Sequence, residues 1–149
     1  MFCREQVAEL RPHVDEIRAY GGELIVIGNG SPIFARAFRE DLRLDTANVT
    51  VLVDESLRSY ALLGLKRSLL GVASLGVVRS GARAYGKGFR QGRTMGDAMQ
   101  LGGVVVVRPG GRVVYAFASN EAGDHPSPAD VVAAVRQAGQ VGARQSTQR

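Results

Sequence analysis

Between Glu23 and Gly28 the chain reads Glu-Leu-Ile-Val-Ile-Gly, a short continuous apolar run rich in branched residues, with a helical pattern on either side. No other feature restricts the fold as much. A run of this length and kind suits a strand buried on both faces of a sheet, and helices before and after it point to parallel α/β layering. The preceding helix is marked by Cys3, Val7, Leu10, Val14 and Ile17, which recur at steps of three and four on one face, while Glu5, Glu9, Asp15 and Glu16 take much of the rest. Pro12 predicts a kink, and Gly21-Gly22 predicts the stop. His13 falls on the charged side, where a solvated histidine is expected.

After the run, Asn29-Gly30-Ser31-Pro32 reads as a turn with Ser31 as N-cap and Pro32 in the first helical position, opening a helix through Phe34, Ala37, Phe38 and Leu42. Val49 to Val53 predicts a second strand. A third helix begins at Asp54 or Glu55, passes Leu57, Tyr60, Ala61 and Leu63, and is closed by Gly64. Gly103 to Arg108, the turn Pro109-Gly110-Gly111, and Arg112 to Ala118 predict a β-hairpin. Ser127 and Pro128 open a last helix running through Val131, Val132 and Val135 to Gly139. The expected organisation is one domain over residues 1–139, with a basic, glycine-rich insertion at about 66–96 and a flexible tail at 140–149.

With 149 residues, 45% of them hydrophobic and 22% charged, the chain has the profile of one globular domain. The longest nearly uncharged run, Ser68 to Ser80, falls short of the roughly 20 apolar residues of a spanning helix, and no secretory signal opens the chain, so a cytoplasmic protein is expected. The net charge of +5 is concentrated. Eight basic and no acidic residues lie between Ser56 and Gly96, against eleven basic and fourteen acidic elsewhere. An anionic substrate or an anionic surface could use that stretch, but a solvated insertion is the simpler reading. Nucleic acid is not expected as a partner, because Tyr85 and Phe89 are the only aromatics in the insertion and no groove-binding motif accompanies them. One cysteine and two histidines make a zinc centre a poor fit, and no cofactor is expected.

Four segments carry a family resemblance: Phe2-Cys3-Arg4-Glu5-Gln6, Val26 to Pro32, Gly96 to Gly103, and Ala122 to Pro126. Together, in this order, they resemble the peroxiredoxin-like proteins, relatives of alkyl hydroperoxide reductase and thiol-specific antioxidant, within the thioredoxin-like fold. The resemblance implies a thioredoxin-like α/β sandwich with a mixed sheet. It also implies a thiol oxidoreductase that reduces hydroperoxides or related oxidised substrates, with thioredoxin or glutathione returning the electrons. In the family's Cys-x-x-Cys pattern, Cys3 matches the second, resolving cysteine, on the buried face of the helix. The first would stand one residue before Met1, and the central strand that precedes it in the family would lie between the Glu23 to Gly28 strand and the hairpin. The sequence is therefore expected to be N-terminally incomplete, as a start codon placed too late would make it.

Three further candidates follow. His125, in the loop before the last helix, is a candidate general base or proton donor to the thiol, or else structural. Gln100, Gly102 and Gly103 stand where thioredoxin-like proteins place the loop facing the active cysteine; they either admit a substrate to the backbone or form a tight turn into the strand. Two alternatives remain beside the resolving-cysteine enzyme. One is a thioredoxin-fold remnant or interaction module without chemistry, and the other an enzyme that uses Cys3 alone.

Overall fold

The computed structural model describes residues 2–65, 67 and 100–146; the expected insertion at 66–96 lies outside them apart from Arg67. Helix α1 (Phe2–Leu10) passes through a 3-10 turn at Arg11–His13 into α2 (Val14–Ala19), so at Pro12 the helical path tightens into one 3-10 turn and then resumes. Strand β1 (Ile25–Gly28), helix α3 (Pro32–Asp41), strand β2 (Thr50–Val53) and the short helix α4 (Arg58–Leu62) follow. The hairpin of β3 (Gly103–Arg108) and β4 (Arg112–Ala118) has the bounds expected, and α5 (Pro128–Ser146) closes the order. Among the described residues, no helix is long and apolar enough to cross a membrane.

Three helices end with the same device. After α2, the N–H of Gly22 reaches the carbonyl of Ile17 at 2.9 Å while that of Gly21 reaches Arg18 at 2.9 Å, with Gly21 at φ +78°. The pattern recurs at Gly64 after α4, where Leu65 N–H donates to Tyr60 and Gly64 N–H to Ala61. It recurs again after α3, where Leu44 N–H donates to Arg39 and Arg43 N–H to Glu40. There the left-handed position holds Arg43, at φ +50°, instead of glycine.

The strands form a parallel pair, β1 with β2, and an antiparallel pair, β3 with β4. These are separate two-stranded sheets among the described residues, arranged in the mixed α/β architecture expected of a thioredoxin-like sandwich. The hairpin turns at Pro109-Gly110, where Gly111 N–H donates to Arg108 and Gly110 takes φ +91°, the proline-then-glycine order of a type II turn. Its register slips between Val106 and Val107, leaving Val114 as the extra residue of a bulge in β4.

The core beneath the parallel pair is made of Val7, Val14, Leu44 and Val49, with Val26, Phe38, Leu42 and Val51 packed against it. β1 is not buried on both faces as its apolar run suggests. Val26 points into this core, but Ile25, Ile27 and Leu52 line the opposite face, and each is 40% or more exposed. A continuous apolar run states that both faces are apolar; whether a layer covers each is decided elsewhere in the chain.

Helix α5 also departs from expectation, running past Gly139 to Ser146. Gly139 acts as a spacer: a β-carbon there would meet the Tyr20 carbonyl oxygen at 2.6 Å, so glycine lets α5 pass close to the end of α2. The residues after it include the good helix formers Gln140, Ala143, Arg144 and Gln145. At its start, Ser127 Oγ accepts the Asp130 N–H at 3.2 Å and donates to the Asp130 carboxylate at 2.7 Å, a reciprocal cap.

Candidate functional site

Cys3 sits in the first turn of α1 and is exposed. That corrects the expectation that it lies on the buried face. The apolar stripe is real from Val7 onward, with Val7, Leu10, Val14 and Ile17 all buried, but its first member lies a turn beyond the packed part of the helix. A charge on the sulfur is felt at Tyr60 of α4. That hydroxyl donates to the Ile27 carbonyl at 2.8 Å, at the C-terminal end of β1, where open α/β sheets present their ligand sites. Burial, and then the negative charges of a Cys3 thiolate and of Asp54, push Tyr60 up to about 12. Asp54, at the end of β2, accepts the Ser56 and Ser59 hydroxyls at 2.6 and 2.5 Å and the Ser59 N–H at 2.7 Å. Those bonds, the Ser56 hydroxyl's first, hold its carboxyl far below the usual carboxylate range. The carboxylate fixes the entry to α4 and, through it, the place of Tyr60.

On the other side of α1 the expectation fails more informatively. Glu5, assigned to the polar face, is fully buried, and its Oε2 lies 3.9 Å from Nε2 of His125. Glu9, one turn on, places Oε2 3.8 Å from Nδ1 of the same ring. The His125 side chain is 12% exposed, and its Nε2 has no hydrogen bond within the described structure. A self-bonded loop presents the ring. Ser119 N–H donates to the Gly102 carbonyl at 3.0 Å, Ser119 Oγ to the Asp124 carbonyl at 2.6 Å, and Asn120 N–H to the Asp124 carboxylate at 2.9 Å. His125 is thus directed at two carboxylates of the cysteine-bearing helix. His13 pairs at 3.5 Å with Glu16 and is partly exposed.

Gln100 is locked by its own amide, which donates to the Leu65 carbonyl at 3.2 Å and the Leu101 carbonyl at 3.0 Å. Gly103 opens β3, and a β-carbon there would meet the Phe117 carbonyl at 2.5 Å and Leu65 Cδ2 at 2.7 Å. The hairpin itself therefore demands glycine at that position. At Gly102 a β-carbon would meet nothing within 4 Å. Among the described residues, no group of three histidine, cysteine or acidic side chains is placed to hold a metal ion.

The structure thus brings Tyr60 and Asp54 to the end of the parallel strands and sets His125 against Glu5 and Glu9. Periodicity could not have found Glu5, since a carboxylate beside an apolar stripe has the same signature whether solvated or enclosed.

In comparison with known proteins, the model of the family described as AhpC/TSA antioxidant enzyme matches residues 9–121. The matched stretch covers Gln100, Gly102 and Gly103 and stops short of Cys3 on one side and His125 on the other. Neither a curated protein nor a solved structure matches the chain.

Proposed function

The chain belongs to the AhpC/TSA antioxidant enzyme family, and on that premise we propose that it is a thiol-dependent oxidoreductase that reduces hydroperoxides or related oxidised substrates, with Cys3 as its thiol. The single observation that carries the role of Cys3 is its exposure in the first turn of α1, where both a substrate and a reducing thiol can reach the sulfur. In the overall reaction a hydroperoxide and two thiols give an alcohol, water and a disulfide. Cys3 takes part as its thiolate attacks the peroxide, breaking the O–O bond and releasing the alcohol to leave a sulfenic acid; a reductant thiol then displaces water to form an S–S bond, and a second reductant thiol breaks that bond and restores Cys3. A thioredoxin- or glutathione-type reductant fits this chemistry. Gln100, Gly102 and Gly103 line the approach as backbone rather than as reacting groups. His125 supports α1 through Glu5 and Glu9.

Peroxide consumption with dithiothreitol as reductant tests this. Turnover that is lost in Cys3→Ser supports the proposal, and turnover that survives the substitution overturns it. A second reading, a thioredoxin-like module without peroxide chemistry, is favoured by the family match beginning at Glu9, after Cys3. Under that reading the folded wild-type chain consumes no peroxide at all.

A further inference from the structure

Asn29 and Gly30 link two fixed points. On one side Gly28 is paired with Val53 in the sheet, and its carbonyl accepts the Asp54 N–H at 2.8 Å. On the other the Ser31 carbonyl opens α3 by accepting the N–H groups of Phe34 and Ala35 at 3.0 and 3.1 Å. The link itself is a half-buried bend outside any strand or helix, and among the described residues nothing accepts the Gly30 N–H. It is also the one place in the sequence where an asparagine precedes a glycine. The other two asparagines are less favourably placed for attack by the following nitrogen. Asn48 precedes the branched Val49, whose N–H is given to the Leu44 carbonyl at 3.2 Å, and Asn120 precedes Glu121, whose side chain obstructs the approach.

We infer that Asn29 is a self-modification site, at which the Gly30 nitrogen closes on the side-chain amide and converts the residue to aspartate or isoaspartate. A bond forms between the Gly30 nitrogen and Asn29 Cγ, the Cγ–Nδ2 bond breaks, and the amide nitrogen leaves as ammonia with the Gly30 proton. Glycine has no side chain to block that approach and the backbone freedom to reach it. Water then opens the cyclic imide. Attack at Cγ gives aspartate, whereas attack at the backbone carbonyl leaves the main chain running through the side chain as isoaspartate. Isoaspartate lengthens the main chain by a methylene between anchors that allow little slack, so the first turn of α3 has to yield. Ser31 makes no side-chain capping bond to resist this. Because Phe38 and Leu42 of α3 pack against the core, the isoaspartate form is the less stable one. Aspartate carries the same charge on an ordinary backbone and leaves the link unchanged in length. The site acts whether or not Cys3 turns over a peroxide.

Peptide mapping by mass spectrometry, after incubation of the full chain at mildly alkaline pH, tests the inference. The Asn29 peptide should gain the mass of an amide-to-acid exchange and resolve into two isomers. It should do so at least about tenfold faster than the Asn48 and Asn120 peptides, a barrier difference of about 1.4 kcal/mol. Gly30 lies outside the left-handed region, so its backbone admits alanine, and Gly30→Ala should slow the conversion by about tenfold or more. If that variant does not fold, the comparison of the three asparagines in the wild type decides. Separated from the aspartate form, the isoaspartate form should show a lower urea midpoint, while Asn29→Asp should keep that of the wild type. Equal rates at the three asparagines, a conversion undiminished in folded Gly30→Ala, or equal midpoints for the two products overturns the inference.

Discussion

The carbonyl oxygen of Tyr20 stands 2.6 Å from the point a β-carbon on Gly139 would occupy. Because the obstructing atom is backbone, it cannot rotate aside. Arg136 adds to the same contact, its guanidinium 5.9 Å from the Tyr20 ring centre, so α5 is held against the end of α2 by atoms with little room to shift. Gly139→Ala should therefore destabilise the protein, although alanine is the better helix former by about 1 kcal/mol. Overpacking of about 1–3 kcal/mol outweighs that gain, and the urea midpoint should fall. Gly102→Ala, with open space around it, is the control and should leave the midpoint nearly unchanged.

Arg43 occupies the left-handed position that glycine fills at the ends of α2 and α4. A side chain there costs about 1–2 kcal/mol, part of which glycine returns through the greater entropy of the unfolded chain. Arg43→Gly should raise stability by about 0.5–1 kcal/mol, seen as a higher melting temperature. Arg43→Ala, which keeps the strain, should not.

Tyr60 is neutral in the folded protein well past the pH at which an exposed phenol ionises, its value raised from the ordinary 10 to about 12. A raised value in the folded state means that the associated stability is complete below about 10 and is lost as pH climbs toward about 12. Thermal melts across that window should show the loss, and Tyr60→Phe should flatten it. At neutral pH the same substitution removes the bond to the Ile27 carbonyl and should cost about 0.5–1.5 kcal/mol.

Asp54 gives the opposite sign. Its carboxyl is depressed below the ordinary 3.8 by the Ser56 hydroxyl and then by Ser59, so its contribution is present above that value and fades as pH falls through the lower, folded one. Asp54→Asn should melt lower than wild type near neutrality, and the gap should narrow on acidification below about pH 4. A gap of constant size would show that the charge of Asp54 is not what stabilises the entry to α4.

Much of this was legible in the residues, and the exceptions share a cause. The hairpin was readable to the residue because Pro109-Gly110-Gly111 is a local turn flanked by valine-rich strands, and Gly21 and Gly64 marked helix ends by conformations that only their immediate neighbours require. Gly139 looked like a third such mark. Whether a glycine ends a helix or lets another backbone pass depends on Tyr20, far away in sequence, and the residue itself is silent on the difference. Cys3 and Glu5 fail for a related reason: helical periodicity orders side chains around an axis but does not say where along it the core stops, or that a distant histidine will meet a carboxylate. Of the candidate site, the exposure of Cys3 and the pairing of His125 with α1 are purely tertiary. The basic insertion lies outside the described residues.

The 3-10 turn at Arg11–His13 has a mechanical consequence. It divides the opening helix into two rods that share one core: the inner one buries Val14 and Ile17 and ends against Gly139, while the outer one buries Val7 and Leu10 and carries the sulfur. Because Val7 and Val14 pack in one cluster on either side of Pro12, the direction of the thiol is tied to the seating of α2, and loosening one rod loosens the other.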